Sequence, residues 1–258
     1  MLGKPLKFFS VLLVLLFVAG ELPAAPLTMG EAINKAGRQR MLSQRIAKAY
    51  AMVGAKNVLS ARIQLQDAVN LFQKQLDELT KFAKTKKEKE VIAEVTRLWK
   101  QYRKLVTGKP DREKAREVME LSEKVLAKAH EFVLLLQDRS GTSTGKLVNV
   151  SGRQRMLSQR IAKYYAYKSW GFDDPQYDKE MSKAMTEFRS ALDFLKNAPE
   201  NTSEINDALA KVEKDWNTFE LSKRVKRGNY IPSLVMRSME KILGQMNYIT
   251  ALYAAILK

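Results

Sequence analysis

The chain has 258 residues, of which 45% are hydrophobic and 28% charged, a balance that excludes both a disordered chain and a polytopic membrane protein. It contains no cysteine and one histidine, so thiol catalysis, cysteine-ligated zinc and multi-histidine metal sites are excluded, and we expect no metal and no cofactor. The 45 lysines and arginines against 28 aspartates and glutamates give a net charge of +17, which favours anionic partners.

The first 25 residues have the pattern of a secretory signal. Two lysines precede an apolar run over residues 8–20, and the small residues Ala24 and Ala25 follow it. The run is shorter than the roughly 20 residues that a transmembrane helix needs. We therefore expect residues 1–25 to direct export and the rest of the chain to lie in the periplasm, with an uncleaved membrane anchor as the alternative. Export argues against a nucleic-acid partner, and no zinc finger or base-stacking module is visible.

A twelve-residue segment occurs twice without change. Residues 37–48 and 152–163 both read Gly-Arg-Gln-Arg-Met-Leu-Ser-Gln-Arg-Ile-Ala-Lys, at an offset of 115. Weaker similarities continue the repeat at an offset of 117: Trp99 with Trp216, and Glu123-Lys124-Val125-Leu126 with Glu240-Lys241-Ile242-Leu243. A period of this length is the size of a domain rather than of a solenoid repeat. The sequence therefore predicts two tandem units.

Turn residues divide each unit into four long stretches whose apolar residues keep helical spacing. The stretches lie near 30–56, 58–84, 88–107 and 111–139 in the first unit, and near 146–170, 175–196, 202–226 and 231–257 in the second. Four amphipathic helices of this length pack most economically as an antiparallel bundle. We predict an all-α fold of two tandem antiparallel four-helix bundles, at 28–140 and 146–258, joined by a linker at 141–145.

The repeated segment has two specialised faces when it is drawn as a helix. Leu42, Ile46, Ala49 and Val53 form an apolar stripe that is typical of a bundle core. The opposite face is small and polar, with Arg40 at its centre, and small residues there allow a second helix to approach closely. That face contains Gly37, Arg40, Gln44, Ala47 and Ala51, and the second copy repeats it with Gly152, Arg155, Gln159, Ala162 and Ala166.

If the two faces meet, Arg40 and Arg155 approach each other. Two guanidiniums brought together out of water repel, and neither can lose its proton. A planar oxyanion between them would relieve the repulsion and would match the guanidinium fork. Asn34, Asn149, Gln44 and Gln159 could supply further polar contacts to it. The alternative is that the arginines are solvated or paired with local acids, and that the motif only packs helix against helix.

The same residues resemble the sensory N-terminal module shared by NarX-type nitrate/nitrite sensor kinases and PilJ-type chemotaxis transducers. The first helix of that family carries the pattern Ile-Asn-Lys-Ala-Gly-x-x-Arg-Met-x-Ser-x-Arg. This chain has Ile33-Asn34-Lys35-Ala36-Gly37, then Arg40-Met41, Ser43 and Arg45, which matches fully. The second copy matches from Gly152 onward and at Asn149, but departs at Val148, Val150 and Ser151. The match covers about 18 residues in each copy.

The resemblance implies a periplasmic four-helix bundle in each unit. In the nitrate sensors, the arginine before the methionine binds the anion where two first helices pair. That role falls here on Arg40 and Arg155, with Gly37 and Gly152 giving access to the backbone. One chain would then build within itself a site that the kinases build between subunits, although a homodimer is also compatible with the sequence. No kinase or signalling rod is visible in the chain, so we expect it to act with a separate membrane-bound receptor or kinase.

We therefore predict a binding or sensory module for a small inorganic oxyanion, nitrate or nitrite, rather than an enzyme. The alternative is a ligand-free helical adaptor that docks onto an envelope or pilus-associated receptor. The remaining polar residues have simpler interpretations: His130 is predicted to be solvated or locally bonded, and Trp99 and Trp216 to anchor the cores. The other motif arginines are predicted to pair with acids of neighbouring helices: Arg38, Arg45, Arg153 and Arg160.

Overall fold

The computed structural model describes residues 26–56, 59–225 and 232–257, and the predicted export signal at 1–25 lies outside this part of the chain. The described residues form eight α-helices and no strand. The helices are α1 (Met29–Lys56), α2 (Leu59–Phe82), α3 (Lys86–Val106), α4 (Ala115–Ser140), α5 (Ser143–Ser169), α6 (Pro175–Lys196), α7 (Ser203–Val225) and α8 (Pro232–Ile256). Each predicted stretch corresponds to one helix, which confirms the all-α prediction. Over the same residues, no helix is long and apolar enough to cross a membrane.

Capping residues set where several of the helices begin and end. Thr85 and Glu88 form a capping box at the start of α3, in which each side chain accepts a hydrogen bond from the other residue's backbone N–H. Asp174 caps α6, whose first residue is a proline. Gly141 ends α4 with a left-handed φ of 62°. Because α5 begins at Ser143, the break between the two units is shorter than the predicted linker.

Neighbouring helices within each unit run antiparallel, as the ion pairs between them show. In the first unit, Lys35 near the start of α1 bonds Glu78 near the end of α2. In the second unit, Arg160 in the second half of α5 bonds Glu180 near the start of α6. The two tandem antiparallel four-helix bundles are therefore α1–α4 and α5–α8, and short connections join antiparallel neighbours as expected.

The first helices of the two bundles pack against each other and run parallel. Gly37 of α1 lies beside Gly152 of α5, and Gly54 lies beside Trp170 at the end of α5, so corresponding positions meet along the pair. In addition, α1 contacts α8 and α5 contacts α4. Consequently 18 of the 28 residues of α1 are buried, against 8 of the 24 residues of α2. The two bundles thus share one central layer, and the first helices pair within the chain.

Each bundle core contains a tryptophan stacked on a phenylalanine at matching positions. Trp99 stacks on Phe72 with ring centroids 4.0 Å apart, and Trp216 stacks on Phe188 at 4.1 Å. Both tryptophans are buried, which confirms their prediction as core anchors. Stacked aromatic pairs contribute about 0.5–1.5 kcal/mol beyond the area that they bury. These pairs hold α2 to α3 and α6 to α7, behind the helices that carry the repeated motif.

Candidate functional site

The α1–α5 seam brings Arg40 and Arg155 together in the centre of the molecule, with both side chains fully buried. Arg40 donates through Nη2 to the carbonyl oxygen of Asn149 at 3.0 Å, across the seam. Arg155 donates reciprocally to Asn34, to its carbonyl oxygen at 3.1 Å and to its side-chain Oδ1 at 2.8 Å. Each guanidinium therefore crosses to the other first helix, and the arrangement is close to two-fold symmetric.

Gly37 and Gly152 make room for the two guanidiniums. A Cβ on Gly37 would lie 3.3 Å from the Nη2 atoms of both arginines, and a Cβ on Gly152 would lie 3.1 Å from Nη2 of Arg155 and 3.4 Å from Nη2 of Arg40. Because both Nη2 atoms lie so close to the same two points, they face each other across the seam. The glycines thus serve the close approach of two helices and of two cations at once.

Among the described residues, no acid compensates the charges of the two arginines. Within the described part of the chain, all the hydrogen-bond acceptors of the two guanidiniums are neutral groups, and the Nε atom of each has no partner. Burial, then the charge of Arg153, lower the pKa of Arg40 to about 9. Burial, then Arg38 and Arg40, lower the pKa of Arg155 well below its usual value. The lowered pKa values report the cost of holding two cations together out of water.

Of the four further polar residues predicted for the site, two reach the arginines and two do not. Asn34 and Asn149 accept from the guanidiniums, although Asn149 does so only through its backbone, while its side chain bonds Gln137. Gln44 instead donates to the carbonyl oxygen of Ser122 on α4. Gln159 accepts from Lys48 at 2.8 Å. The site around the arginines is therefore formed by residues 34, 37 and 40 and by their counterparts in the second repeat.

His130 is not solvated; of the two states that its sequence context predicts, solvated or locally bonded, it is bonded, and its partner is Arg40 of α1. It lies half-buried on α4, and its Nδ1 is 3.1 Å from Nη1 of Arg40. The corresponding position of α8 is Asn247, whose Oδ1 accepts from Nη1 of Arg155 at 3.2 Å. Burial, then the charges of Arg40 and Arg153, lower the pKa of His130 to about 4, so the ring is neutral at physiological pH. The offset of 117 that relates the Glu123 and Glu240 segments also relates His130 to Asn247. The sequence therefore contained a signal that these two positions correspond.

Two buried lysines of the repeated motif form a second pair of polar clusters, further along the seam. Lys48 bonds Glu240 of α8, and Lys163 bonds Glu123 of α4, so each lysine reaches a glutamate of the other repeat. Burial lowers the pKa of each lysine to about 8, against the opposing effect of its glutamate. The sequence showed that all four residues recur, but periodicity does not indicate which helices of different bundles will touch.

Three of the other motif arginines pair with acids of neighbouring helices, as predicted. Arg45 bonds Glu240 at 2.8 Å, Arg153 bonds Glu187 at 2.7 Å, and Arg160 bonds both Glu123 and Glu180 at 3.0 Å. These arginines border the seam and are partly exposed. Arg40 and Arg155 therefore differ from them both in their complete burial and in having only neutral acceptors.

We expect Gly37→Ala with Gly152→Ala to fold but to displace both guanidiniums. Alanine is favoured over glycine within a helix by about 1 kcal/mol, but each new Cβ would crowd the Nη2 atoms of Arg40 and Arg155. The measurement is the free energy of unfolding together with anion binding. Gly244→Ala is the matched control, because a Cβ at this helical glycine meets nothing within 4 Å, and it should only stabilise. Unchanged anion binding in the double variant would contradict a role for the glycines.

The fold and the seam define a class of protein: a duplicated helical bundle in which the paired first helices carry a buried, charged motif. The family model for the N-terminal domain of type IV pili methyl-accepting chemotaxis transducers (PilJ) matches the chain twice, over residues 27–124 and 139–226. The chain belongs to this family and contains two tandem copies of its domain. Searches of the curated proteins and of the solved structures found no significant match.

Proposed function

We propose that the protein is an exported, periplasmic sensory module that binds a small planar oxyanion, nitrate or nitrite, between Arg40 and Arg155. The observation that carries this proposal is the pair of fully buried guanidiniums, which face each other across Gly37 and Gly152 with only neutral acceptors around them. An isolated buried charge is expensive unless it is paired. An anion seated at the seam would pair both cations at once.

The chemistry of the arginines favours a trigonal oxyanion over a spherical anion. A guanidinium is planar and presents its N–H donors as a fork, so two facing forks match a flat anion with several acceptor oxygens. The resemblance of the Arg40-Met41 and Arg155-Met156 segments to the anion-binding segment of nitrate sensors supports the same role. Membership of the family supports a sensory module in general. The thermal-shift series described below tests whether nitrate or nitrite is the ligand.

We further propose that a separate membrane-bound receptor or kinase reads the bound state. The seam lies in the layer that both bundles share, since α1 also contacts α8 and α5 also contacts α4. A change in the distance between Arg40 and Arg155 would therefore move one bundle against the other. Such a rigid-body movement of two packed units is a common way of passing a binding event to a partner.

A thermal-shift series tests the ligand. The protein without its export signal is titrated with nitrate, nitrite, sulfate, phosphate and chloride at matched ionic strength. A ligand that binds only the folded state stabilises it by about 2.7 kcal/mol at a hundredfold excess over its dissociation constant. We expect nitrate or nitrite to raise the midpoint and Arg40→Ala with Arg155→Ala to remove that rise.

A matched control separates specific binding from screening of the positive charge. Arg97→Ala with Lys100→Ala removes the same formal charge from exposed positions of α3 and should leave the shift intact. Equal, small shifts with every salt, in wild type and in both variants, would reject the oxyanion assignment. The ligand-free adaptor would then be favoured, with capture of a membrane receptor by the wild type and its loss in the Arg40 and Arg155 variant as the next measurement.

A further inference from the structure

His130 is placed where a bound anion would act on it. Nη1 of Arg40 and Nδ1 of His130 are 3.1 Å apart, and a guanidinium has only donors, so Nδ1 accepts and the neutral ring carries its proton on Nε2. A proton added to this ring would go to Nδ1 and would displace the Arg40 donor. In the anion-free protein, protonation therefore breaks a hydrogen bond and sets two cations side by side.

The charged groups around the ring also disfavour the protonation of His130 in the anion-free protein. Arg40 faces it from α1, and Arg153 acts on it from α5, while Glu187 of α6 is the one acid that favours its protonation among the described charges. From α3, Glu94 and Lys87 engage Lys128 and Glu131, which flank His130 on its own helix. Cations dominate this environment, and a negative charge next to Arg40 would shift the balance.

We propose that anion binding at the seam is coupled to uptake of a proton from solvent by His130, so that the protein senses the anion more strongly as the pH falls. This inference rests on the proposed function. An anion at the seam competes for the donors of Arg40, which frees Nδ1, and its charge favours the imidazolium. The ring is half-buried, so solvent can supply the proton.

Only one half of the seam responds in this way. Asn247 occupies the position of His130 in the second repeat and accepts from Arg155, but an amide does not titrate in this range. The coupling is therefore at most one proton per anion. His130 is also the single histidine of the chain, so between pH 5.5 and pH 7 it is the side chain whose ordinary pKa makes it titrate.

The sign of the pH dependence follows from the two states of the ring. Without the anion, the pKa of His130 is about 4, so the ring is neutral above pH 5. If the anion is taken to lie about 7 Å from the His130 ring, its charge would raise the pKa of His130 by about 1–2 units at an effective dielectric constant near 20. The anion complex then holds more protons than the free protein near pH 5.5. Affinity should accordingly be about twofold higher at pH 5.5 than at pH 7.

Nitrate is the probe, because it remains ionised throughout this range. The single imidazole is followed by NMR from pH 4.5 to pH 7.5 with and without saturating nitrate, and nitrate affinity is measured by calorimetry at pH 5.5 and pH 7 in two buffers of different ionisation enthalpy. We expect nitrate to raise the pKa of His130 and to bind with net proton uptake at the lower pH. His130→Asn introduces the residue type that the second repeat has at the corresponding position. In this variant we expect the pH dependence of nitrate affinity to disappear.

Two further variants sharpen the test. Lys124→Asn changes an exposed residue of the same helix and should retain the wild-type pH dependence. Asn247→His places a second imidazole against Arg155 and should increase proton uptake. If nitrate binds but the pKa of His130 does not move, or if His130→Asn keeps the wild-type pH dependence, the coupling is rejected and the anion site stands. If neither nitrate nor nitrite binds at any pH, the proposed function itself fails, and this inference fails with it.

Discussion

Replacing Arg40 and Arg155 together by methionine is expected to stabilise the protein while abolishing anion binding. Both side chains are fully buried without an acidic partner in the described part of the chain, so each charge costs desolvation energy that no carboxylate returns. Replacing buried charged groups by apolar ones of similar volume commonly stabilises a fold by about 1–4 kcal/mol. We expect a gain of this size in the free energy of unfolding, measured by urea denaturation in a buffer free of oxyanions.

Arg97→Met removes an exposed arginine and should change the free energy of unfolding by no more than about 0.5 kcal/mol. A marked loss of stability in the Arg40 and Arg155 variant would mean that the arginines hold the seam together. A gain would mean that the protein retains a destabilising pair of charges for a purpose other than folding.

The second large effect is expected at Glu240. Glu240→Ala leaves Lys48, a side chain only 1% exposed, without its carboxylate and should destabilise the protein by about 3–5 kcal/mol. Glu123→Ala should do the same to Lys163 in the other repeat. The measurement is again the free energy of unfolding, and loss of either glutamate should loosen the contact between the two bundles.

Two comparisons make the Glu240 prediction specific. Lys48→Met with Glu240→Met removes both charges and should recover most of the lost stability, because no fully buried ion is left unpaired and Arg45, the other partner of Glu240, is partly exposed. Glu213→Ala breaks a more exposed lysine–glutamate contact between α6 and α7 and should cost less than about 1 kcal/mol. Equal effects of Glu240→Ala and Glu213→Ala would contradict the importance of burial at Lys48.

The sequence was sufficient to predict the helices, because their signals are local. Apolar spacing marks the buried face of each helix, and turn residues such as those at Gly141 and Pro175 mark its limits. The assignment of Trp99 and Trp216 to the bundle cores also follows from the spacing of apolar residues along the chain. The predicted linker between the units was too long. Thr142 caps α5, so the first turn of this helix begins at Ser143, inside the segment predicted as linker.

The proposed anion site was only partly predictable. Arg40, Arg155, Gly37 and Gly152 share one helical face and one exact repeat, so their convergence could be inferred once the two faces were assumed to meet. His130 lies outside the motif, on a helix that comes later in the chain. Its neighbours in sequence include lysine and glutamate, a pattern that is typical of a helix surface. Its contact with Arg40 depends on the rotation of α4 about its own axis, which sequence spacing does not fix.

By itself, the sequence determined the number of the described helices, their approximate limits, the duplication and the residues of the motif, since each of these follows from the order of residues along the chain. The tertiary structure alone decided that α1 and α5 pair within one chain, that Lys48 and Lys163 each reach a glutamate of the other repeat, and that His130 and Asn247 lie behind the two arginines. The physical reason is that these helix–helix contacts join residues that lie 40 to 192 positions apart in the chain. Their geometry is set by how all eight described helices fill the shared core, rather than by the pattern of any one of them.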